Sequence, residues 1–531
     1  MLSKRIRPQG EVQLGQEANL VQRPARASGA GAFFDAGTPM GLPEVEYAPR
    51  LAPSGQLSAQ RLDYSLEPGM QRLAISGDGL VTSYGIFGAP GSGKTHLLMY
   101  LMHQVLQIAR DNQNQKFGAL ILDPKAALVD DVRAMVEASG RGDDLRVLNT
   151  KLLNDANEGV NVIDVDLDAY ELGAQLVMAA QAAGTATSDP YWMLAWGNIF
   201  GAALELLRID GEPRSLATLL EETITFDTSL AEPKRRIEVR ADRMRREIAS
   251  YPADEQRDAL KAIGEIENFS RMKGENAETV QSIIIAAYSN FQRSKYLCYS
   301  KVQPGSISLY DDIIENGRIV LVSFAPEEPA MAKTACTLVK NLFQRSVLGR
   351  LDRWVAKRIR NYERPLVIAA DEYSQVACEL QGKPVGDGDF FSQSRQHGCM
   401  GILATQSVNQ LQSSSLKENW KAVFSNLGAK VFMRVADNET AEQAVKLAGE
   451  SEYYVTSEGT SRGKEGLSSS TQKDLRERKN LPTMVLTQVL KKGEAVVLGS
   501  LDGGATLPAM RFLKVPAVYR DVGPSDRKGW G

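Results

Sequence analysis

The sequence has few of the residues from which structural metal sites are built. Its 531 residues include four cysteines and three histidines. Cys298, Cys336, Cys378 and Cys399 show no C-x-x-C spacing, which argues against a structural zinc site. This cysteine usage fits a reducing cytosol.

The sequence also lacks an excess of charge of one sign. Its 62 basic and 65 acidic residues give a formal net charge of −3. This balance excludes a globally basic nucleic-acid binder, although it leaves open a local basic patch or a positively lined pore. The 43% hydrophobic and 24% charged content is typical of a soluble globular protein, and the length predicts two or three domains.

A long apolar run is missing as well. The longest strongly apolar stretch without a charge, 190–204, falls short of the roughly 20 residues that cross a bilayer. Lys4, Arg5 and Arg7 are not followed by the apolar core of a secretory signal. We therefore expect a cytoplasmic protein without a transmembrane segment of its own. If it works at the inner face of the membrane, partners must bring it there.

The sequence does contain one complete phosphate-binding loop. The motif G-x-x-x-x-G-K-[ST] occupies 88–95, between an apolar run at 84–87 and a helical pattern that starts at Leu97. Glycines let backbone N–H groups turn toward a phosphate, Lys94 reaches the β/γ oxygens and Thr95 offers a hydroxyl to Mg²⁺. The motif predicts binding of ATP or GTP by Gly88, Ala89, Pro90, Gly91, Ser92, Gly93, Lys94, Thr95 and His96.

A second apolar strand pattern, 366–370, ends in the carboxylates Asp371 and Glu372. Ligands bind at the carboxyl edge of parallel sheets, so we expect Asp371 to hold Mg²⁺ through its water shell and Glu372 to orient or polarise the attacking water. Alone this pattern is weak, because many surface strands end in carboxylates. An intact P-loop in the same chain strengthens the catalytic interpretation.

Two other polar residues are candidates for sensing the γ-phosphate. Gln406 follows the predicted strand 401–405, which would bring its amide to the phosphate if that strand neighbours the acidic one; the alternative is a solvated loop amide. Arg395 could stabilise phosphate charge in its own subunit or across a subunit interface, although a lone arginine is more often a surface residue.

The order of apolar runs predicts an α/β fold that a helical segment interrupts. Short runs separated by helical patterns indicate a mostly parallel sheet with helices on both faces, and a polar Ser/Gly-rich segment at 456–474 indicates a mobile loop. The expected division is a flexible N-terminal arm over 1–75, a first P-loop domain half over 76–189, an all-helical insertion over 190–300, a second half over 301–516 and a tail over 517–531.

Two features of the helical insertion have competing interpretations. The segment 234–246 contains seven basic and two acidic side chains and predicts a basic amphipathic helix. A solvated polar face is its commoner explanation, and nucleic-acid contact is the alternative. Trp192 and Trp196 lie on one side of a helix, where core or interface anchors are more common than base-stacking platforms.

Taken in order along 80–515, the motifs resemble those of the type IV secretion coupling proteins, the TraG/TraD-like ATPases within the FtsK/HerA group of DNA pumps. The sequence departs from this family in two ways: the usual pair of membrane-spanning helices is missing, and Ala126-Ala127 stand where Gly-Glu is common. The resemblance is carried by the P-loop and by Asp123-Pro124-Lys125, Asp189-Pro190-Tyr191-Trp192, Asp371-Glu372, 394–398, 403–407, 424–431 and 437–441.

The resemblance implies a RecA-like P-loop ATPase that uses ATP and Mg²⁺, an all-helical domain, and a homo-hexameric ring with ATP sites between subunits. It implies that DNA, single-stranded in the leading hypothesis, is moved toward a secretion channel, with relaxase and channel components as partners. It assigns nucleotide and Mg²⁺ to Lys94 and Thr95, metal and water to Asp371 and Glu372, and γ-phosphate sensing to Arg395 and Gln406.

Two other functions stay open on the sequence alone. One is a HerA/FtsK-like packaging or repair translocase that acts on duplex DNA, which the missing membrane anchor favours. The other is a protein-recruiting platform of a secretion system, in which 1–60 and the helical domain collect partners and ATP serves assembly.

Overall fold

The computed structural model describes most of the P-loop domain and most of the helices between 169 and 271, which are called the helical layer below. The described residues are 11–23, 63–149, 163, 165, 167–182, 190–212, 214–271, 282, 285, 288, 308–323, 329–357, 361–379, 386–463, 466–505 and 507–515.

The described strands form one large sheet and two small ribbons. In chain order they are β1 (Glu11–Arg23), β2 (Asp63–Ser76), β3 (Tyr84–Phe87), β4 (Gly118–Asp123), β5 (Leu145–Asn149), β6 (Phe226–Asp227), β7 (Lys234–Arg235), β8 (Ile319–Ser323), β9 (Leu366–Ala370), β10 (Cys399–Thr405), β11 (Ala429–Met433), β12 (Glu450–Gly463), β13 (Gly466–Lys479), β14 (Glu494–Gly499) and β15 (Ala509–Lys514).

The helices flank the sheet or stack beside it. They are α1 (Lys94–Gln107), α2 (Val129–Ala138), α3 (Ala169–Ala182), α4 (Pro190–Ile209), α5 (Leu216–Ile224), α6 (Arg236–Arg246), α7 (Ala253–Arg271), α8 (Pro329–Leu348), α9 (Arg350–Val355), α10 (Asp387–Gln393), α11 (Val408–Gln412), α12 (Trp420–Asn426) and α13 (Asn438–Ala448). Short 3₁₀ and π turns, among them Gly77–Val81, Leu309–Glu315, Tyr373–Gln375 and Val485–Val489, join them.

The large sheet has eleven strands in the order β2-β1-β15-β14-β11-β3-β10-β9-β4-β8-β5. The seven strands from β11 to β5 are parallel to one another. The four at the other end, from β14 to β2, are antiparallel. The predicted α/β fold class with a mostly parallel sheet is confirmed.

The central strands are buried on both faces, because helices cover both sides of the sheet. Along β9, Ile368 and Ala370 contact one hydrophobic cluster with α8 and the helical layer. Val367 and Ala369 contact the other cluster, with α1 and α2. Two-sided burial explains why these strands read as continuous apolar runs.

The helical layer is held together by close backbone contact between α3 and α4. A Cβ atom built on Gly173 would clash with the Gly197 carbonyl oxygen and lie 2.7 Å from the Gly201 nitrogen. Buried side chains from Trp196, Phe200 and Phe269 pack beside this crossing. Trp196 is thus a core anchor, whereas the side chain of Trp192 lies outside the described residues.

Several segments differ from the expected organisation. Residues 11–23 and 63–76, expected within a flexible arm, form the antiparallel pair β1–β2, which β15 joins to the sheet. Of the segment 456–474, expected as a mobile loop, residues 456–463 and 466–474 lie in the paired strands β12 and β13. The helical layer starts at α3, before the expected boundary, and includes the two-residue ribbon β6–β7.

The basic segment 234–246 forms the short strand β7 and helix α6, and acidic neighbours neutralise much of its charge. Arg240 pairs with Asp210 and with Glu222, the latter at 3.0 Å, and Arg243 also pairs with Asp210. Arg245 pairs with Glu267 at 2.8 Å. These ion pairs tie α6 to its neighbouring helices and favour a structural role over nucleic-acid contact.

Among the helices that the structure describes, none combines the length and the apolar character required to cross a membrane.

The α3–α4 contact predicts opposite effects for two glycine substitutions. Gly173→Ala should lower the free energy of unfolding by about 1–3 kcal/mol, because the methyl group forces the helices apart. Gly264→Ala, in α7 with nothing within 4 Å of its Cβ position, should raise it by about 0.5–1 kcal/mol through helix propensity. Urea unfolding followed by circular dichroism measures both, and equal effects would contradict the packing argument.

Candidate nucleotide-binding and hydrolysis site

Four neighbouring parallel strands bring the predicted site residues to one edge of the sheet. Phe87 at the end of β3 is opposite Thr405 at the end of β10, and Ala370 of β9 is opposite both Leu403 and Leu122. The P-loop, the acidic pair, Gln406 and the Asp-Pro-Lys turn each follow one of these strands. Their convergence is a consequence of parallel alignment.

The P-loop connects β3 to α1 through backbone conformations that favour glycine. Gly91 and Gly93 have φ angles of +76° and +108°. A Cβ atom on Gly88 would lie 2.6 Å from the Ser92 hydroxyl oxygen. The tip of the loop is formed by Ala89, which is partly exposed, and Pro90, which is exposed. Helix α1 begins immediately after Gly93. The loop therefore has the geometry of an anion cradle at a helix N-terminus.

The functional side chains of the loop point into the site from the start of α1. The Lys94 ammonium donates to the carbonyl oxygens of Gly88 at 2.6 Å and Ala89 at 3.3 Å, and burial lowers its pKa. The Thr95 hydroxyl donates to Asp371 Oδ2 at 3.2 Å. His96, the last of the predicted set, is partly buried in the first turn of α1.

Asp371 has the environment of a metal-binding carboxylate. Burial, and secondarily the charge of Glu372, raise its pKa. Its Oδ1 atom is buried and has no hydrogen-bond partner among the described residues. A divalent cation beside Thr95 would satisfy this oxygen and offset the cost of burying the charge, so the residues present fit Mg²⁺.

Glu372 is held by two donors that follow different strands, β4 and β10. Its Oε1 atom accepts hydrogen bonds from the Gln406 amide at 2.8 Å and from the Lys125 ammonium at 2.7 Å. Gln406 in turn accepts a hydrogen bond from Gln410 at 3.1 Å. The structure therefore places the Gln406 amide against Glu372, and its sensing of the γ-phosphate stays a prediction.

A buried polar network lies under the turn that follows Glu372. The Tyr373 hydroxyl and the Lys340 ammonium both donate to Asp387 Oδ2, at 2.6 Å each. Gln344 donates to Asp387 Oδ1 at 2.8 Å, and the Cys378 N–H donates to Oδ2 at 3.1 Å. Lys340 and Asp387 are fully buried, so this network fixes the turn rigidly against α8 and α10.

Arg395 lies apart from the other candidates. It precedes β10, whereas Gln406 follows it, and the seven-residue strand separates them by roughly 20 Å. Its guanidinium pairs with Asp78 at 3.0 Å in the 3₁₀ turn before β3, and 43% of its side chain is exposed. In this chain Arg395 therefore lies near the amino ends of the parallel strands. The P-loop lies at their carboxyl ends, so Arg395 is not beside the phosphate site of its own subunit.

Comparisons with known proteins find one matching family segment and a shared fold. Residues 386–491 match the family model described as the TraM recognition site of TraD and TraG. A comparison with curated protein sequences finds no match. The matched segment includes α10, Arg395, Gln406 and the hairpin β12–β13. Residues 386–491 therefore resemble this segment of TraD and TraG.

Solved structures of the conjugative coupling protein TrwB share the fold. The unbound monoclinic form has a TM-score of 0.54 and 16% identity, over 83% of this chain and 86% of that one. The complexes with a GTP analogue and with ADP and Mg²⁺ each have a TM-score of 0.53, at 15% and 14% identity, over 85% of this chain and 89% of theirs. The resemblance predicted from the motif order is confirmed.

Two contacts at this candidate site were not predicted from the sequence. Lys125 lies in the Asp-Pro-Lys segment that carried the resemblance, but only the fold shows that its ammonium contacts Glu372. The backbone N–H of Gly493 donates to the Ser92 carbonyl at 2.9 Å, so the turn before β14 supports the P-loop. No local motif at 491–493 signals this contact.

The P-loop geometry predicts that Lys94 is essential for nucleotide binding. Lys94→Ala should weaken ATP affinity by about 100-fold, because each charge-assisted hydrogen bond contributes roughly 1.5–3 kcal/mol. Titration of a fluorescent ATP analogue measures the loss, with Lys421→Ala, which removes an exposed lysine from α12, as the control. Undiminished affinity in Lys94→Ala would refute the assignment.

Proposed function

We propose that this protein is an ATP-hydrolysing motor of the coupling-protein kind, which moves DNA, single-stranded and with its relaxase, to a type IV secretion channel. The observation that carries the proposal is the joint placement of the P-loop, Asp371, Glu372 and Gln406 on a coupling-protein fold. The TrwB complexes with ADP and Mg²⁺ and with an ATP analogue support the choice of cofactors.

In the proposed mechanism each side chain has a distinct part. The Lys94 ammonium exchanges its loop carbonyl partners for phosphate oxygens. Thr95 and Asp371 would hold Mg²⁺, which would neutralise phosphate charge. Glu372 accepts a hydrogen bond from the attacking water and polarises it, while Gln406 orients the Glu372 carboxylate.

The position of Arg395 favours a ring in which ATP sites lie between subunits. Its partly exposed guanidinium lies at the opposite sheet edge from the P-loop of its own chain. We therefore assign it to the site of a neighbouring subunit in a homo-hexamer, where it would stabilise charge on the transferred phosphoryl group.

The segment 386–491 is the proposed protein-docking region. Its family description names a recognition site for TraM, and the hairpin β12–β13 within it pairs with no other strand of the described residues. Exposed residues at the base of the hairpin, including Ser451, Glu452 and Glu477, leave this element accessible. Partners docked here, relaxase and channel components among them, would bring the motor to the inner face of the membrane.

The decisive measurement is steady-state ATP hydrolysis with and without single-stranded and duplex DNA. We expect single-stranded DNA to stimulate turnover, and Glu372→Gln to lower it by about 100-fold or more while ATP still binds, because the carboxylate that polarises water is lost.

Two results of this measurement would favour a different function. Preferential stimulation by duplex DNA would favour a packaging or repair translocase. Robust hydrolysis that is indifferent to DNA would favour the protein-recruiting platform and overturn the motor assignment.

The intersubunit role of Arg395 predicts complementation. Arg395→Ala alone should reduce turnover by about 1,000-fold, as for other arginine fingers. When it is mixed with equal Glu372→Gln protein, roughly a quarter of the interfaces of a closed ring would combine an intact Glu372 with an intact Arg395. ATPase activity of the mixture should then exceed that of either variant. Activity no higher than the two variants measured separately would exclude the assignment across subunits.

A further inference from the structure

The ion pair between Lys125 and Glu372 uses the carboxylate that the proposed mechanism needs for water. Lys125 Nζ lies 2.7 Å from Glu372 Oε1, the same oxygen that accepts the Gln406 amide. The Glu372 side chain is 9% exposed, whereas 44% of the Lys125 side chain is exposed. One partner is therefore fixed in the protein, and the other has open space into which it can move.

Each partner lies at or next to a residue with a left-handed backbone conformation, which is energetically unfavourable for residues other than glycine. Glu372 itself has a φ of +54°, and Ala126, directly after Lys125, has a φ of +51°. For residues other than glycine, the left-handed region costs roughly 1–2 kcal/mol. Two such turns face each other here although 247 positions separate Lys125 and Glu372 in sequence.

The surroundings of each turn hold it in place. Asp123, almost fully buried, accepts hydrogen bonds from the Leu128 N–H at 2.8 Å and the Ser323 hydroxyl at 2.9 Å, which fixes the turn that carries Lys125. The turn after Glu372 is anchored by Tyr373 on Asp387. The strained conformations are therefore imposed by the fold around them, as at sites where strain serves function.

A second ammonium group faces the same region. The charge of Lys125 acts on Lys94, whose pKa is lowered by burial first and by Lys125 among its charged neighbours. Glu372 and Asp371 act on Lys94 in the opposite sense. Two cations and two carboxylates thus converge beside the P-loop, and an arriving phosphate group would compete with the carboxylates for the cations.

We propose that Lys125 is a further catalytic residue, which exchanges its ion pair with Glu372 for the terminal phosphate of a bound nucleoside triphosphate. The exchange releases Glu372 to hold the attacking water only when a γ-phosphate is present. No covalent bond changes in this step, since one ion pair replaces another. The inference rests on the proposed nucleotide hydrolysis and goes beyond it by naming a further group, Lys125, that responds to the triphosphate.

Equilibrium binding of a non-hydrolysable ATP analogue and of ADP tests the exchange without any turnover. Lys125→Gln should weaken analogue binding by about tenfold and leave ADP binding within about twofold, because a single charge-assisted contact to the γ-phosphate is lost. Lys125→Arg keeps the charge and should retain most of the preference for the triphosphate. Lys421→Gln makes the same charge change on α12 and should alter neither affinity.

A double-mutant cycle gives the sharper result. Glu372→Gln removes the competing carboxylate, so it should tighten analogue binding in a protein that keeps Lys125 and not in the Lys125→Gln protein. If Glu372→Gln changes the analogue-to-ADP ratio equally in both proteins, or if Lys125→Gln weakens both nucleotides alike, the proposal is overturned. A wild-type protein that binds neither nucleotide would overturn the proposed function as well, which separates the two failures.

Ala126→Gly tests the strain without any nucleotide. Glycine adopts a φ of +51° without the steric penalty, so the melting temperature of the nucleotide-free protein should rise by about 1–3 °C. The freer turn should also reduce the triphosphate preference by roughly two- to threefold. A lower melting temperature, or a preference equal to that of the wild-type protein, would contradict the role assigned to this turn.

Discussion

The parallel alignment of β3, β10, β9 and β4 is the constraint on which the rest of the site depends. Side chains on both faces of these strands pack into buried clusters, so a shift of one residue would exchange the side chains of the two faces and disrupt the packing of both clusters. The register therefore fixes where each strand ends. The polar residues of the site follow those strand ends: the P-loop, Asp371, Glu372, Gln406 and Lys125. Burial of the apolar strands therefore fixes the positions of these polar side chains.

Electrostatic balance then determines what this edge of the sheet can bind. Asp371 and Glu372 are adjacent and largely buried, which is costly for two negative charges unless cations lie nearby. Lys125 neutralises one of them, and an unsatisfied oxygen of Asp371 leaves the other suited to a metal ion. The charged side chains that offset one another in the absence of nucleotide are the same ones that would change partners when a magnesium-bound phosphate binds.

The sequence predicts the buried centre of this fold much better than its edges. The apolar runs at 84–87, 366–370 and 401–405 predict β3, β9 and β10 to within about two residues, because two-sided burial leaves continuous apolar runs. The strands β1 and β2, and the hairpin β12–β13, have mixed polar composition and were expected as an arm and a loop. The Lys125–Glu372 contact could not be predicted, since it depends on two strands that meet in the sheet.

The same topology separates Arg395 from its own P-loop and yet links it to Glu372. Asp387 begins α10, the helix that leads toward Arg395, and also holds the turn after Glu372 through Tyr373. The buried pair with Lys340 makes this connection stiff, because releasing either charge inside the protein is costly. If Arg395 serves a neighbouring subunit, a rearrangement at Glu372 in one site acts through α10 on the arginine offered to the next. A ring built from such subunits has a physical route for coupling successive hydrolysis events.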